Sequence, residues 1–454
     1  MHSWLNRNLL YRPVSAIQAG PVDRHLRTLV GREREDPQVR DARRLEALRG
    51  LLAHASDHVP HYRCVLAGSD VQGIASLSAL TELPFLSKSD LQSRKDSLRS
   101  EAPVGHVIQK TTGGSTGEPV TVLKSRDAWA WELAATWRGY SWAGVAMGDL
   151  QARFWGVPHQ SKSRWRASLI DLVCNRIRFP AFKFAEADLH DYHRIIRRKR
   201  PRYFYGYVSM LREFAEFMQR RGLTLESPPA AVITTSEVLT DPTRELLQTV
   251  FAAPVFDEYG CGELGTIAHE CPAGSLHLSE ENMLVEILAG DRPAAPGESG
   301  EIVVTELNNL AMPMIRYRTG DFGMLKPRPC ACGRTLTVLG NIHGRAYDFV
   351  EGPDGRRFHG EFMMYIFEDI RRQGPGIRQF QCIQETPTRF RIRIVPEPGA
   401  ARTYEELIRA RLREHIHPDV EVAFEDVEAI TRERSGKMRL IVGMAPPRDG
   451  AQAS

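Results

Sequence analysis

Short β-branched segments alternate with helical patterns through the middle of this chain, and that alternation constrains its fold more than any other feature. Val232-Ile233-Thr234-Thr235 precedes an amphipathic stretch from Pro242 to Val250, and Val255-Phe256-Asp257 follows. The same rhythm runs from about Val120 to Val350 and predicts α/β layers rather than a helical bundle. Leu211 to Met218 has helical spacing of apolar residues and reads as core. Met283–Leu288 and Glu301–Thr305 read as a strand pair joined through the turn-rich segment 290–300. With 454 residues the chain exceeds one compact core, so two or three units are expected.

Within that framework, Thr111-Thr112-Gly113-Gly114-Ser115-Thr116-Gly117-Glu118-Pro119 joins two strand-like segments, 107–108 and 120–123. Glycines let backbone N–H groups close around phosphate oxygens, and the hydroxyls add short hydrogen bonds. The loop is predicted at a hairpin tip. It lacks the Gly-Lys-Ser/Thr ending of a Walker loop. A flexible turn is the plain alternative, and the downstream motifs decide between the two.

Those motifs are Asp257-Glu258-Tyr259-Gly260-Cys261-Gly262-Glu263, Tyr317-Arg318-Thr319-Gly320-Asp321, Gly344-Arg345 and Ser435-Gly436-Lys437. In this order and at these separations, from about Arg44 to about Val442, the set resembles the adenylate-forming enzymes, in their phenylacetate–CoA ligase-like branch with its capsule polysaccharide-associated relatives. The lead-in agrees: a helix from Leu45 to Tyr62 ending in His58-Val59-Pro60-His61-Tyr62, then a helix start with Ser87 at the N-cap position and an early Asp90.

The resemblance implies an α/β fold with a large N-terminal adenylate-forming domain (1–343), a small mobile α+β C-terminal domain (344–444) and a disordered tail (445–454). It implies ATP-dependent activation of a carboxylic acid to an acyl-adenylate, followed by transfer to CoA. Thr112, Gly114, Ser115, Thr116 and Gly117 would hold the departing phosphates. Glu263 would hold Mg²⁺, Tyr259 would lie against the adenine, and Ser236, Glu237 and Asp257 would form the other wall of the nucleotide pocket. Asp321 would accept from the ribose hydroxyls, Arg345 would contact the ribose, and Lys437 would neutralise the α-phosphate and carboxylate oxygens. Asp321 as a turn cap after Gly320 is the plainer alternative.

Three positions depart from the pattern. Gly113 replaces a hydroxyl residue, and Glu118 replaces a lysine and is expected to face solvent or a basic partner such as Lys124. Tyr347 stands where an acidic residue or lysine serves as the pivot of the C-terminal domain.

Cys271, His277, Cys330 and Cys332 form a second constellation of soft and borderline ligands on two loops, suited to a closed tetrahedral Zn²⁺ site. The resemblance makes that site structural. His269 competes as the fourth ligand, and four side chains that merely pack are the alternative.

A net charge of +4 against 60 basic and 56 acidic residues does not argue for nucleic acid, and no nucleic-acid partner is expected. The run Arg197-Arg198-Lys199-Arg200-Pro201-Arg202 reads as a solvated helix end, or as an attraction for nucleotide or CoA phosphates. No secretory h-region and no run of about 18 apolar residues is found, so a cytoplasmic protein without a membrane span is expected. Seven cysteines in this length do not form a disulfide framework.

The expected partners are a small carboxylic acid and CoA. A rival acceptor is a sugar, amine or carrier in capsule polysaccharide or secondary-metabolite synthesis, which the segment 353–360 favours. A non-catalytic nucleotide-binding protein is the third reading. Phe204, Tyr205, Gly206, Tyr207 and Ser209 are candidates for the acyl pocket, or core.

Overall fold

The computed structural model describes residues 3–68, 73–112, 120–155, 164–181, 186–290, 292–326, 329–343, 350–355, 357–358, 367, 376–397, 402–431 and 439–444. Its contacts divide the chain into two compact units. One comprises Met1–Thr319 with Gly323–Ile342, and the other Gly320–Phe322 with His343–Ser454.

The first unit opens with helices, of which Pro37–His58 is the longest. Asp36 caps it by accepting from Gln38 N, and Pro37 occupies the first turn, where its missing N–H costs nothing. Helix Lys88–Ser93 starts with a full capping box: Ser87 accepts from Asp90 N while the Asp90 carboxylate accepts from Ser87 N. The Ser/Asp pair in the sequence is thus a true helix start.

The strands in chain order are β1 (Val107–Thr112), β2 (Val120–Ser125), β3 (Gln151–Trp155), β4 (Arg176–Pro180), β5 (Tyr203–Tyr207), β6 (Ala231–Thr235), β7 (Val255–Cys261), β8 (Gly265–Glu270), β9 (Leu276–Leu278), β10 (Met283–Ala289), β11 (Arg292–Pro293), β12 (Gly300–Glu306), β13 (Tyr317–Lys326) and β14 (Val338–His343). β1 and β2 form an antiparallel hairpin with Thr112 opposite Val120. The other twelve make one sheet among the described residues, in the order β11-β10-β12-β13-β14-β9-β8-β7-β6-β5-β3-β4. β4, β3, β5, β6 and β7 run parallel, while β7–β8 and β8–β9 are antiparallel.

The parallel section is covered on both faces, as buried parallel strands require. Ala152, Phe154, Phe204, Val232 and Val255 pack against helices Glu186–Lys199, Val208–Arg220 and Asp241–Phe251. Tyr203, Tyr205, Ala231 and Ile233 pack against Ala130, Ala134 and Tyr140 of helix Arg126–Trp142, with Val22 and Leu29 beyond. Phe214, Phe217 and Met218 are fully buried, in accord with the core reading of 211–218. β10 and β12 pair antiparallel, Met283 opposite Glu306, as the sequence pattern anticipates.

In the second unit β15 (Val350–Glu351) pairs β16 (Arg357–Phe358). β17 (Ile377–Gln384), β18 (Arg389–Pro396), β19 (Glu421–Asp426) and β20 (Ile441–Val442) form a sheet in the order β19-β18-β17-β20. β18 alternates, with Phe390, Ile392 and Ile394 buried among Ile408 and Leu412 of helix Tyr404–His415 and arginines on the other face. Residues 445–454, expected to be disordered, lie outside the described residues.

Candidate active site

The phosphate-loop candidate is carried by the β1–β2 hairpin, and the ends of that hairpin are anchored by buried charge. Lys124 of β2 is fully buried. Its ammonium donates to Glu132 Oε2 at 2.8 Å, Glu306 Oε1 at 2.8 Å and the carbonyl of Leu264 at 2.5 Å. Lys110 of β1 donates to both oxygens of Glu132, at 2.8 and 3.0 Å. Burial alone would lift Glu132, yet the two ammoniums outweigh it and hold the carboxyl at about 2. Burial raises Glu306, with Lys124 opposing. All three donors of Lys124 are therefore committed, so it is not a free partner for Glu118, contrary to the sequence reading.

Through these bonds one ammonium joins the hairpin, helix Arg126–Trp142, strand β12 and the β7–β8 turn. Glu263 sits in that turn, buried, one residue before the bonded carbonyl. Gly265 has φ of +91°, and a Cβ there would lie 2.3 Å from the Glu132 carboxyl carbon. Only glycine satisfies both demands. Gly260 is constrained likewise by the Gly265 carbonyl, 2.4 Å from where its Cβ would stand.

The other predicted residues take known places. Tyr259 is buried on β7. Ser236 follows β6 at φ of +70°, a strained value for serine that turns the chain toward Glu237. The Glu237 carboxylate accepts from Ser209 N at 2.6 Å and Ser209 Oγ at 3.0 Å, capping the free N–H groups of helix Val208–Arg220. Ser209, a candidate for the acyl pocket, is engaged there. Burial pushes the Asp257 carboxyl up to about 7, although Thr234 Oγ1 donates to it at 2.8 Å. Asp321 is buried within β13, which continues to Lys326, so it is not the cap of a turn. Gly114, Ser115, Thr116, Gly117, Glu118, Arg345, Tyr347 and Lys437 lie outside the described residues, as does the side chain of Thr112.

Arg153 and Trp155, missed in the sequence, join the acyl-pocket candidates Tyr205 and Tyr207 in a second feature. The order β4-β3-β5-β6-β7 reverses direction between β3 and β5, and open α/β sheets bind ligands outside the carboxyl ends of strands at such a reversal. Those ends carry Trp155 and Tyr207, with ring centroids 4.3 Å apart. Arg153 lies over Trp155 at 4.6 Å and Tyr205 at 4.8 Å. Tyr205 donates its hydroxyl to Glu258 at 3.2 Å. Phe204 belongs to the opposite face and is core. The signal was in the strand order, which no local pattern reveals.

Cys271, His277, Cys330 and Cys332 converge, their ligand atoms all within 4.8 Å of one another. Cys271 Sγ and Cys330 Sγ are 3.8 Å apart, the edge of a tetrahedron with bonds of about 2.3 Å. His277 Nδ1 bonds the Leu336 carbonyl at 3.0 Å, which leaves Nε2, 3.2 Å from Cys332 Sγ, as the lone-pair nitrogen. Backbone N–H groups of Cys332 and Arg334 point at Cys330 Sγ and Cys332 Sγ. The donor set and its supporting bonds fit zinc. His269 is not part of the cluster: its Nε2 faces Glu258 Oε2 at 3.2 Å.

The cluster is tied down from outside. Thr337 bonds Glu280 through N and Oγ1, Glu280 pairs with buried Arg40, and Arg334 pairs with Glu33 while lying over Trp142.

Comparison with known proteins agrees with these motifs. The CapK C-terminal domain family matches residues 350–443. Phenylacetate-coenzyme A ligase of Thermus thermophilus is 27% identical over 317 residues, covering 67% of this chain and 70% of that protein. Protein CapK of Staphylococcus aureus is 22% identical over 285 residues, 62% of each. The matched relatives and the matched C-terminal family are thus the phenylacetate–CoA ligases and CapK, the group that the motifs resemble. Among solved structures, 2-hydroxyisobutyryl-CoA ligase in the postadenylation state aligns over 91% of both chains with a TM-score of 0.73 at 20% identity, so the chain shares its fold.

Lys124→Met would leave Glu132 and Glu306 buried without their shared cation. Chemical denaturation should show a loss of about 3–5 kcal/mol. Lys124→Met/Glu306→Leu, which removes one of the stranded carboxylates, should recover part of it. An unchanged midpoint in the single variant would show that the network does not hold the fold.

Proposed function

We propose that the protein activates a carboxylic acid with ATP to an acyl-adenylate and passes the acyl group to CoA. The observation that carries this reading is the burial of Glu263 beside a carbonyl fixed by Lys124, in the network that also anchors the phosphate-loop hairpin. The named phenylacetate–CoA ligase relatives and the likeness to an acyl-CoA ligase bound to an acyl-adenylate support it.

In this reading the carboxylate of the acid attacks the α-phosphorus of ATP, and the bond to the β,γ-diphosphate breaks, releasing pyrophosphate. Both reactants are anions, so catalysis rests on placed positive charge and donors rather than on a protein nucleophile. Residues 112–117 bind the departing phosphates, Asp321 binds the ribose and Tyr259 lies against the adenine. Ser236, Glu237 and Asp257 line the nucleotide pocket, and Arg345 contacts the ribose. Lys437 neutralises the oxygens on which charge develops. The Glu263 carboxylate suits Mg²⁺, a hard cation that takes oxygen ligands and supplies charge neutralisation on the phosphates. Trp155 and Tyr207, at the strand-order reversal, bound the acyl pocket. The CoA thiol then attacks the acyl carbon, and AMP leaves with the bonding pair.

A second acceptor is favoured by one observation. The C-terminal unit matches the CapK C-terminal domain family, so delivery to a sugar, amine or carrier in polysaccharide synthesis is the alternative destination. Pyrophosphate release across a panel of acids, with and without CoA, tests the adenylation and separates the acceptors. Release with no acid in a broad aromatic and aliphatic panel would overturn the reading.

Lys437→Ala should lower acyl-AMP formation by a few orders of magnitude, since one preorganised cationic contact is worth about 3–4 kcal/mol. Thermal unfolding should stay unchanged; wild-type turnover would remove this lysine from the site. Glu263→Gln should raise the Mg²⁺ concentration needed for half-maximal turnover, with partial rescue by excess Mg²⁺. An unaltered Mg²⁺ dependence would place the metal elsewhere.

Cys271, His277, Cys330 and Cys332 are proposed to hold a structural Zn²⁺. Metal analysis should find about one equivalent per chain, and Cys330→Ser should lose it together with thermal stability, because binding energy at a closed site is folding energy. His269→Ala should retain the metal. A metal-free, fully stable wild-type protein would overturn the site.

A further inference from the structure

Arg153 stands in the parallel sheet without a counter-ion. It is half-buried on β3, and its guanidinium carbon lies 4.6 Å from the Trp155 ring centre and 4.8 Å from that of Tyr205. Those two rings are themselves stacked, with centroids 5.6 Å apart. Ring faces attract a cation but accept none of the five N–H bonds a guanidinium can donate. Among the described residues, no carboxylate or carbonyl accepts from Arg153.

The acids around it are already in use. Asp171 is shared by Arg176 and Arg178 of β4. Glu258 accepts from Tyr205 at 3.2 Å and from Thr235 at 3.4 Å, and its other oxygen faces His269 Nε2 at 3.2 Å. Arg153 also stands opposite Arg178 in the β3–β4 register, where like charges oppose each other. Leucine or valine at this position would spare the sheet both costs. A residue that breaks the local rule with no protein group to compensate it marks a functional position.

Position identifies the function. Trp155 ends β3 and Tyr207 ends β5, at the strand-order reversal assigned above to the acyl group. Tyr207, Thr235 and Glu258 stand side by side on β5, β6 and β7. On β7 Glu258 is flanked by Asp257 and Tyr259, the residues assigned to the nucleotide. β7 and β3 are three strand spacings apart, about 14 Å. The reacting carboxylate of the acid must lie on the nucleotide side, so Arg153 meets the opposite end of the molecule. A guanidinium held against rings and offering its N–H edge matches a carboxylate in two parallel bonds.

We propose that Arg153 is a specificity-determining residue that binds a second carboxylate, so that the preferred substrate is an aryl acid with a further carboxyl group at its far end. That this anion is the substrate's rests on the adenylation reading above. The test measures pyrophosphate release with phenylacetate and with its meta and para carboxy derivatives. At least one diacid should exceed phenylacetate in kcat/KM by on the order of 10- to 100-fold. Arg153→Met should abolish that preference, and Arg153→Lys, which keeps the charge without the planar fork, should retain part of it. Thermal unfolding without ATP supplies a second readout: the preferred diacid should raise the midpoint of the wild type and not that of Arg153→Met. No diacid preference in the wild type, a preference retained in a folded Arg153→Met, or equal losses on both kinds of acid would overturn the proposal, the last result marking Arg153 as packing alone. Should Arg153→Met fail to fold, the wild-type preference and Arg153→Lys decide. Release with no acid at all would overturn the adenylation reading instead, while a diacid-induced midpoint shift that depends on Arg153 would still uphold the carboxylate site, and its absence would overturn that too.

Discussion

The arrangement of this enzyme-like core depends on one buried ammonium. Lys124 has no access to water, so each of its N–H groups must find an acceptor inside the protein. The acceptors come from three separate places in the chain: helix Arg126–Trp142, the β7–β8 turn and the end of β12. A lysine that needs all three at once allows only one mutual placement of the four elements. That placement ties the β1–β2 hairpin and the turn that carries Glu263 to a common anchor. Lys110 adds a second cation on Glu132, and with Lys124 it outweighs the effect of burial on that carboxyl.

Much of this architecture was legible in the sequence, for identifiable reasons. The hairpin around 113–119, the Ser87 cap, the helix at 242–250 and the β10–β12 pair all rest on local patterns, and local patterns are what a sequence displays directly. The Cys/His cluster was legible because its four residues are chemically rare and spaced in two short groups. Choosing His277 over His269 needed coordinates, since the choice turns on which ring faces Leu336 and Cys332 and which faces Glu258. The Lys124 network was illegible because its partners are separated by up to 182 residues, and a lysine in an alternating strand reads as solvated.

The cysteine cluster and the charge network divide the labour of holding the sheet's antiparallel half. The cluster joins the chain just after β8, at Cys271, to the loop that follows β13, and Glu280 with Arg40 carries the tie back to helix Pro37–His58. These bonds lie beside β9 and β14, where the ladder is short: β9 has three residues, and only two of its register pairs reach β14. A short ladder supplies few backbone hydrogen bonds, so cross-links between side chains are needed where it is weakest.

The parallel half is organised on different terms. Its strands are held by parallel ladders and by apolar packing on both faces. At the reversal of strand order between β3 and β5 the strand ends carry the aromatic pair Trp155 and Tyr207, with Arg153 over the Trp155 ring. Changes at those strand ends leave the Lys124 anchor untouched, because no residue of the network lies on β3 or β5. A chain built this way can change the side chains at one end of the parallel sheet while the hairpin and the β7–β8 turn, fixed by long-range charge, keep their places.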